Sequence, residues 1–223
     1  VFHDVCKAIL HAHENGVVHR DLKPDNIMIG PFGGVLVVDW GLAKVIGASD
    51  CEEAVETVRS ESNMHATVVG SIYGTPAFIA PELASRQLTE TTTKTDIYAL
   101  GVILYEVLRG HPAYSGRDAN DVLRKVVESP PDPFTSGSVT ESSADLSSVI
   151  STLDSEPVSH RGAPLPLLLV TVCQKAMARS PEERFDSVSE MIEAVGNWLD
   201  GSQRSEKALR LVAAAGAYDS QIQ

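Results

Sequence analysis

Residues 96–108 run Asp-Ile-Tyr-Ala-Leu-Gly-Val-Ile-Leu-Tyr-Glu-Val-Leu, apolar nearly all the way round a helix. A helix of that composition shows apolar surface to water on every side unless other elements surround it, so it belongs in the middle of a core. It falls short of the roughly 20 apolar residues needed to span a bilayer. The greasiest run elsewhere, Leu165 to Val172, is shorter still and contains a proline. Thr93 and Thr95 offer capping side chains ahead of the buried helix, and Gly110 ends it.

The elements that must enclose this helix are legible on either side of it. Phe2, Val5, Cys6, Ile9, Leu10 and Ala12 fall close to helical spacing, with Asn15-Gly16 as the stop. Two short apolar runs, Asn26 to Ile29 and Val35 to Val38, flank Gly30-Pro31-Phe32-Gly33-Gly34 and predict a small hairpin. From Gly41 to Tyr73 the chain turns polar and reads as a long surface loop. An amphipathic helix follows over Asp118 to Glu128. Residues 130–166 are rich in Ser, Pro and acid, with no Lys or Arg before Arg161; they read as an insertion with a short helix around Leu146 to Leu153. Helices over Leu167 to Ala178 and through Val188, Met191, Ile192, Val195, Trp198 and Leu199 close the domain, and the tail 201–223 is expected to extend as a helix. The fold class is mostly α with small β hairpins.

Composition bounds the function. The formal net charge of -12 argues against nonspecific binding to nucleic acid or to an anionic membrane. Cys6, Cys51 and Cys173 are odd in number and form no C-x-x-C pair, which fits a reducing, cytoplasmic interior better than a disulfide framework or a zinc site. His11 and His13 form an H-x-H on a helix, where the two rings point apart and make no metal site. The opening Val-Phe-His-Asp has no methionine, basic flank or cleavage site and reads as a cut edge.

The chemistry is concentrated in His19-Arg20-Asp21-Leu22-Lys23-Pro24-Asp25-Asn26, followed by Asp39-Trp40-Gly41. Asp21 and Asn26 share one tight loop, and Asp39 ends the second strand of the adjoining hairpin. Two carboxylates, an amide oxygen and an ammonium group thereby converge. Hard oxygen ligands of this kind suit Mg²⁺, which keeps waters and is shared with substrate phosphates. Lys23 would offset charge on a transferring phosphoryl group, and Gly41 would permit sharp backbone geometry after the metal ligand.

The eight-residue string resembles the catalytic loop of protein kinases, and Asp-Trp-Gly resembles their metal-binding Asp-Phe-Gly. The resemblance implies that Asp21 is the base accepting the substrate hydroxyl's proton. It further implies that Lys23 contacts the γ-phosphate of ATP, as in Ser/Thr kinases, and that Asn26 and Asp39 hold Mg²⁺. His19 would be structural. Gly74-Thr75-Pro76-Ala77-Phe78-Ile79-Ala80-Pro81-Glu82 resembles the end of the activation segment, so Thr75 would bond the catalytic Asp and Lys. Asp96 resembles the aspartate that accepts catalytic-loop amides, and Arg184 the arginine that pairs with Glu82. Arg20 implies pairing with a phosphorylated residue, for which Thr67 and Ser71 are placed. The wording is closest to bacterial Ser/Thr kinases, and the match covers roughly residues 1–200.

Three departures accompany the resemblance. The chain carries no G-x-G-x-x-G-x-V loop, no Val-Ala-Ile-Lys strand and no partner-glutamate helix. The expectation is therefore a kinase-like C-terminal lobe with the N-terminal lobe absent and to be supplied in cis, inactive in isolation. Trp40 replaces phenylalanine, and the insertion at 130–166 is extra. The implied partners are ATP and protein substrates with Ser or Thr hydroxyls. The rival readings are a pseudokinase scaffold and a truncated interaction module.

Overall fold

A computed structural model describes residues 1–47, 74–85, 91–134 and 165–219. At its centre is a helix over Thr93–Arg109, in which every residue from Thr95 to Tyr105 is buried. In chain order the helices are α1 (Phe2–Glu14), α2 (Pro81–Ala84), α3 (the central helix), α4 (Ala119–Glu128), α5 (Leu167–Ala176) and α6 (Val188–Asp219). α5 lies against α3, α6 against α1 and α5, and α4 against α2. Gly101 sets the closeness of the α3–α5 contact: a Cβ there would stand 2.8 Å from Met177 Cγ and 2.9 Å from the Ala176 Cβ. Burying side chains such as Ile97, Leu100 and Val102 completely contributes about 1.5–3 kcal/mol each. That burial, rather than capping, holds the helix. Its N-cap is Thr92 with no side-chain bond, not Thr93 or Thr95, because the Thr95 hydroxyl donates back to the Thr92 carbonyl. Its C-cap is Gly110 at φ 72.

Among the described residues, four short strands make two antiparallel ladders. β2 (Ile27–Ile29) and β3 (Val35–Val37) pair with Met28 opposite Leu36. β1 (Val17–Val18) pairs with β4 (Lys44–Val45). Of this ladder, β4 falls inside the stretch expected to be loop; two residues are too few for an alternating pattern to register. α4 is capped by Asp118, whose carboxylate accepts the Asp121 N–H. The insertion's stem is fixed at both ends by Phe134 and Leu165, 5% and 8% exposed. The helix expected around residues 146–153 lies outside the described residues. Among the described residues, no helix is long and apolar enough to cross a membrane.

Candidate active site

β1 delivers the chain to His19 at the head of α3. Arg20 follows at φ 72, a left-handed conformation that costs a side-chain-bearing residue roughly 1–2 kcal/mol. The Asp96 carboxylate offsets that cost. Its Oδ2 accepts the His19 N–H at 2.8 Å, and its Oδ1 accepts the Arg20 N–H at 3.1 Å. Oδ2 also meets His13 Nε2 at 2.8 Å, from the end of α1. Asp96 is 1% exposed, so three donors answer a carboxylate that water does not reach.

His19 is fully buried, and its imidazole works at both nitrogens. Nδ1 accepts the Asp21 N–H at 3.3 Å, while Nε2 faces the Val38 carbonyl at 3.1 Å. The ring in its Nε2–H form therefore bridges the residue before Asp39 to Asp21.

The Asp21 carboxylate, 8% exposed, is held from two sides. Oδ1 accepts the Thr75 N–H at 2.9 Å and the Thr75 hydroxyl at 3.0 Å. Oδ2 lies 3.0 Å from Lys23 Nζ, which also donates to the Thr75 hydroxyl at 2.9 Å. Asp21, Lys23 and Thr75 thus form a closed triangle. Gly74 lets it close: at φ 108, a Cβ on this residue would stand 2.9 Å from the Arg20 carbonyl oxygen.

Asn26 sits in the short 3-10 turn Pro24–Asn26 and is 5% exposed. Its NH₂ donates to the Asp21 carbonyl at 2.7 Å and to Asp21 Oδ2 at 3.3 Å. With the nitrogen so committed, the side-chain oxygen is the atom left for a cation. The Val38 N–H donates to the Asn26 carbonyl at 2.9 Å, so the residue before Asp39 is bonded to Asn26. Asp39 itself is exposed and left-handed, φ 63 and ψ 61. The sharp backbone geometry therefore falls on Asp39, not on Gly41, which lies inside the following turn Trp40–Leu42 and is absent from the positive-φ glycines. Among the described residues no three His, Cys, Asp or Glu side chains gather as a metal cluster. A donor set of one amide oxygen and one exposed carboxylate fits Mg²⁺, which completes its shell with water and phosphate oxygens, and does not fit zinc.

The supporting frame is an ion pair far along the chain. Arg184 grips Glu82 by donating from Nη1 to Oε1 at 2.8 Å and from Nη2 to Oε2 at 2.6 Å, both side chains nearly inaccessible. The guanidinium also donates to the carbonyls of Ala178, Lys94 and Arg179 and lies 4.9 Å from the Tyr98 ring centroid. Burial pushes the Tyr98 phenol well up from its ordinary value, and its hydroxyl donates to Tyr114.

Sequence reasoning missed His13 and left Trp40 without a contact. His13 follows Ile9 by one helical turn, on the stripe that buries Val5, Cys6 and Ile9, and that spacing was the signal. Trp40 packs its ring 4.5 Å from His19, centroid to centroid, and donates its indole N–H to the Val37 carbonyl at 3.0 Å. Thr67 and Ser71 lie outside the described residues.

Residues 1–193 match the family model described as Protein kinase domain. Over 212 residues, 92% of this chain, it is 36% identical to the serine/threonine-protein kinase PknD of Protochlamydia amoebophila (strain UWE25), spanning 18% of that protein. It is 32% identical over 208 residues, 90% of the chain, to the serine/threonine-protein kinase PknD of Chlamydia trachomatis serovar L2b (strain UCH-1/proctitis), spanning 19% of it. With the PknD of Chlamydia felis (strain Fe/C-56), identity is 33% over 210 residues, 91% of this chain and 19% of that protein. The chain thus spans about a fifth of the length of these curated relatives.

Proposed function

The chain belongs to the protein kinase domain family, and on that premise we propose that, within the full-length protein, it transfers the γ-phosphoryl group of ATP to Ser or Thr hydroxyls of protein substrates. The observation that carries this reading is the Asp21–Lys23–Thr75 triangle, with bonds of 2.9 to 3.0 Å. A carboxylate aimed in this way orients an incoming hydroxyl and takes its proton as the O–P bond forms and the bond to ADP breaks. Lys23 stands beside it as the cation that offsets charge on the transferring group. Thr75 fixes both and shapes the place where the acceptor residue lies. Asn26 and Asp39 would hold Mg²⁺, which supplies charge neutralisation at the phosphate oxygens. His19, Arg20 and Asp96 hold the loop, Gly41 continues the turn after Asp39, and Glu82 with Arg184 holds the activation segment's end.

Within these 223 residues no glycine-rich loop or strand lysine covers the nucleotide. We assign that task to a small lobe elsewhere in the full-length protein, and the isolated chain would then turn over no ATP. A site that consumes ATP in the presence of Mg²⁺ belongs on the cytoplasmic side. Thr67 or Ser71 would be the activating phosphosite, pairing with Arg20.

The test is phosphoryl transfer from radiolabelled ATP to Ser- and Thr-containing peptides by the full-length protein and its Asp21→Asn variant. Loss of about 10²–10⁴ in rate, the range for a positioned acid–base group, is expected. Unchanged turnover in the variant, or no transfer by wild type despite tight Mg²⁺-ATP binding, would remove the reading in favour of a scaffold.

A further inference from the structure

Resting on the reading of Asp39 as a Mg²⁺ ligand, we propose that Trp40 is a positioning residue. Its indole N–H, bonded to the Val37 carbonyl, clasps the backbone around Asp39 and holds that carboxylate in place. A phenylalanine at this position has no donor and makes no such clasp.

Two residues other than glycine adopt a positive φ among the described residues, and Asp39 is one of them. Such a conformation persists where the surroundings over-determine it. Here the restraints lie on both sides of the aspartate. Before it, Val37 is paired with Ile27 in the β2–β3 ladder, and the Val38 N–H is bonded to Asn26. The carbonyls of these two residues are then each met by a ring nitrogen, Val37 by Trp40 Nε1 at 3.0 Å and Val38 by His19 Nε2 at 3.1 Å. After it, the Trp40 carbonyl accepts the Ala43 N–H at 3.0 Å and starts the turn.

The Trp40 bond spans the aspartate from one flank to the other, joining residue 40 to residue 37. It is anchored on a strand end 5% exposed at Val37 and on the fully buried His19 ring, which tilts 56° against the indole. His19 in turn bonds the Asp21 amide and, through its own N–H, Asp96. A phenyl ring would keep the contact with His19 and leave the Val37 carbonyl without its donor. The clasp draws on residues 19 and 37–40 alone, so it stands complete without any residue of the segment 48–73.

The test replaces Trp40 by β-(3-benzothienyl)alanine, the same bicyclic shape with sulfur in place of the N–H, and separately by phenylalanine. Hydrogen exchange of the backbone amides of residues 39–42 is measured in the full chain. Loss of one net hydrogen bond corresponds to exchange about fivefold faster there in both variants, with exchange across α3 unchanged. In the full-length protein, half-saturating Mg²⁺ for ATP turnover rises by the same factor, and the rate recovers at saturating Mg²⁺. A merely space-filling tryptophan would leave the benzothienyl variant at wild-type exchange, and that result overturns the clasp whatever the turnover. Faster exchange in a protein that never turns over ATP upholds the clasp and counts against the kinase reading instead.

Discussion

His13 Nε2 lies 2.8 Å from Asp96 Oδ2, on the same carboxylate that receives the amides of His19 and Arg20. One side chain from the head of α3 thereby fixes the end of α1 and the start of the loop His19–Asn26 together. Asp96→Ala would leave these donors without an acceptor, at about 1–3 kcal/mol for each buried group left unsatisfied. Asp96→Asn keeps an oxygen for part of the set and should fall between the two. Urea unfolding of the three proteins checks the order, and equal midpoints for Ala and wild type would remove Asp96 from the frame.

Arg184 and Glu82 stand 102 positions apart and bond through both guanidinium nitrogens facing the carboxylate. Removing one partner strands the other's charge in a site water does not enter, so Arg184→Ala and Glu82→Ala should each cost about 3–5 kcal/mol. The pair of substitutions together should cost less than the sum of the singles. Additive losses in chemical denaturation would contradict the pairing.

Gly74 sits at φ 108 with the Arg20 carbonyl where a Cβ would go. Gly74→Ala should therefore destabilise the protein by about 1–3 kcal/mol through strain and enforced separation. The local effect is sharper: Thr75 should leave Asp21, and its amide should lose protection from exchange while α3 keeps its own. An Ala variant with Thr75 as protected as in wild type would show that the backbone yields elsewhere.

Glu106 carries the pH prediction. Burial, then the charge of Asp25, hold its carboxyl above the ordinary 4.5. A carboxyl whose folded value is raised binds its proton more tightly in the native state. Its contribution to stability is present in full below 4.5 and is lost as pH rises through the folded value. Glu106→Gln should thus melt higher than wild type at pH 7 and gain nothing at pH 4. A gain of the same size at both pH values would assign the effect to packing instead.

Much of the frame was readable because it is written in composition. Asp96 to Leu108 has no polar face, so no arrangement but a central one suits it, and the structure buries it from Asp96 to Tyr105 and at Leu108, leaving Val107 exposed near its end. The loop Asp21–Asn26 and the strand pair beside it were equally plain, since Gly30 to Gly34 leaves little but a turn between two apolar runs. What escaped reading depended on distance rather than pattern. The Lys44–Val45 strand exists because Val17–Val18 is there to receive it. Thr93 and Thr95 look like caps locally, yet both lie inside the helix, whose N-cap is Thr92 and whose stability comes from burial. The general freedom of glycine points to Gly41 for the sharp turn, whereas the left-handed residue is Asp39, flanked by the bonds to Val37 and Val38.

Arg20 and Asp39, the two left-handed positions among the described residues that lack a glycine, both stand at the candidate site. Glycine would relax either backbone at once. A laboratory selection for heat resistance alone would therefore drift towards glycine at these positions and return sturdier proteins stripped of the side chains on which the proposed chemistry depends. Any screen for hardier forms of this protein has to reward turnover in the same round.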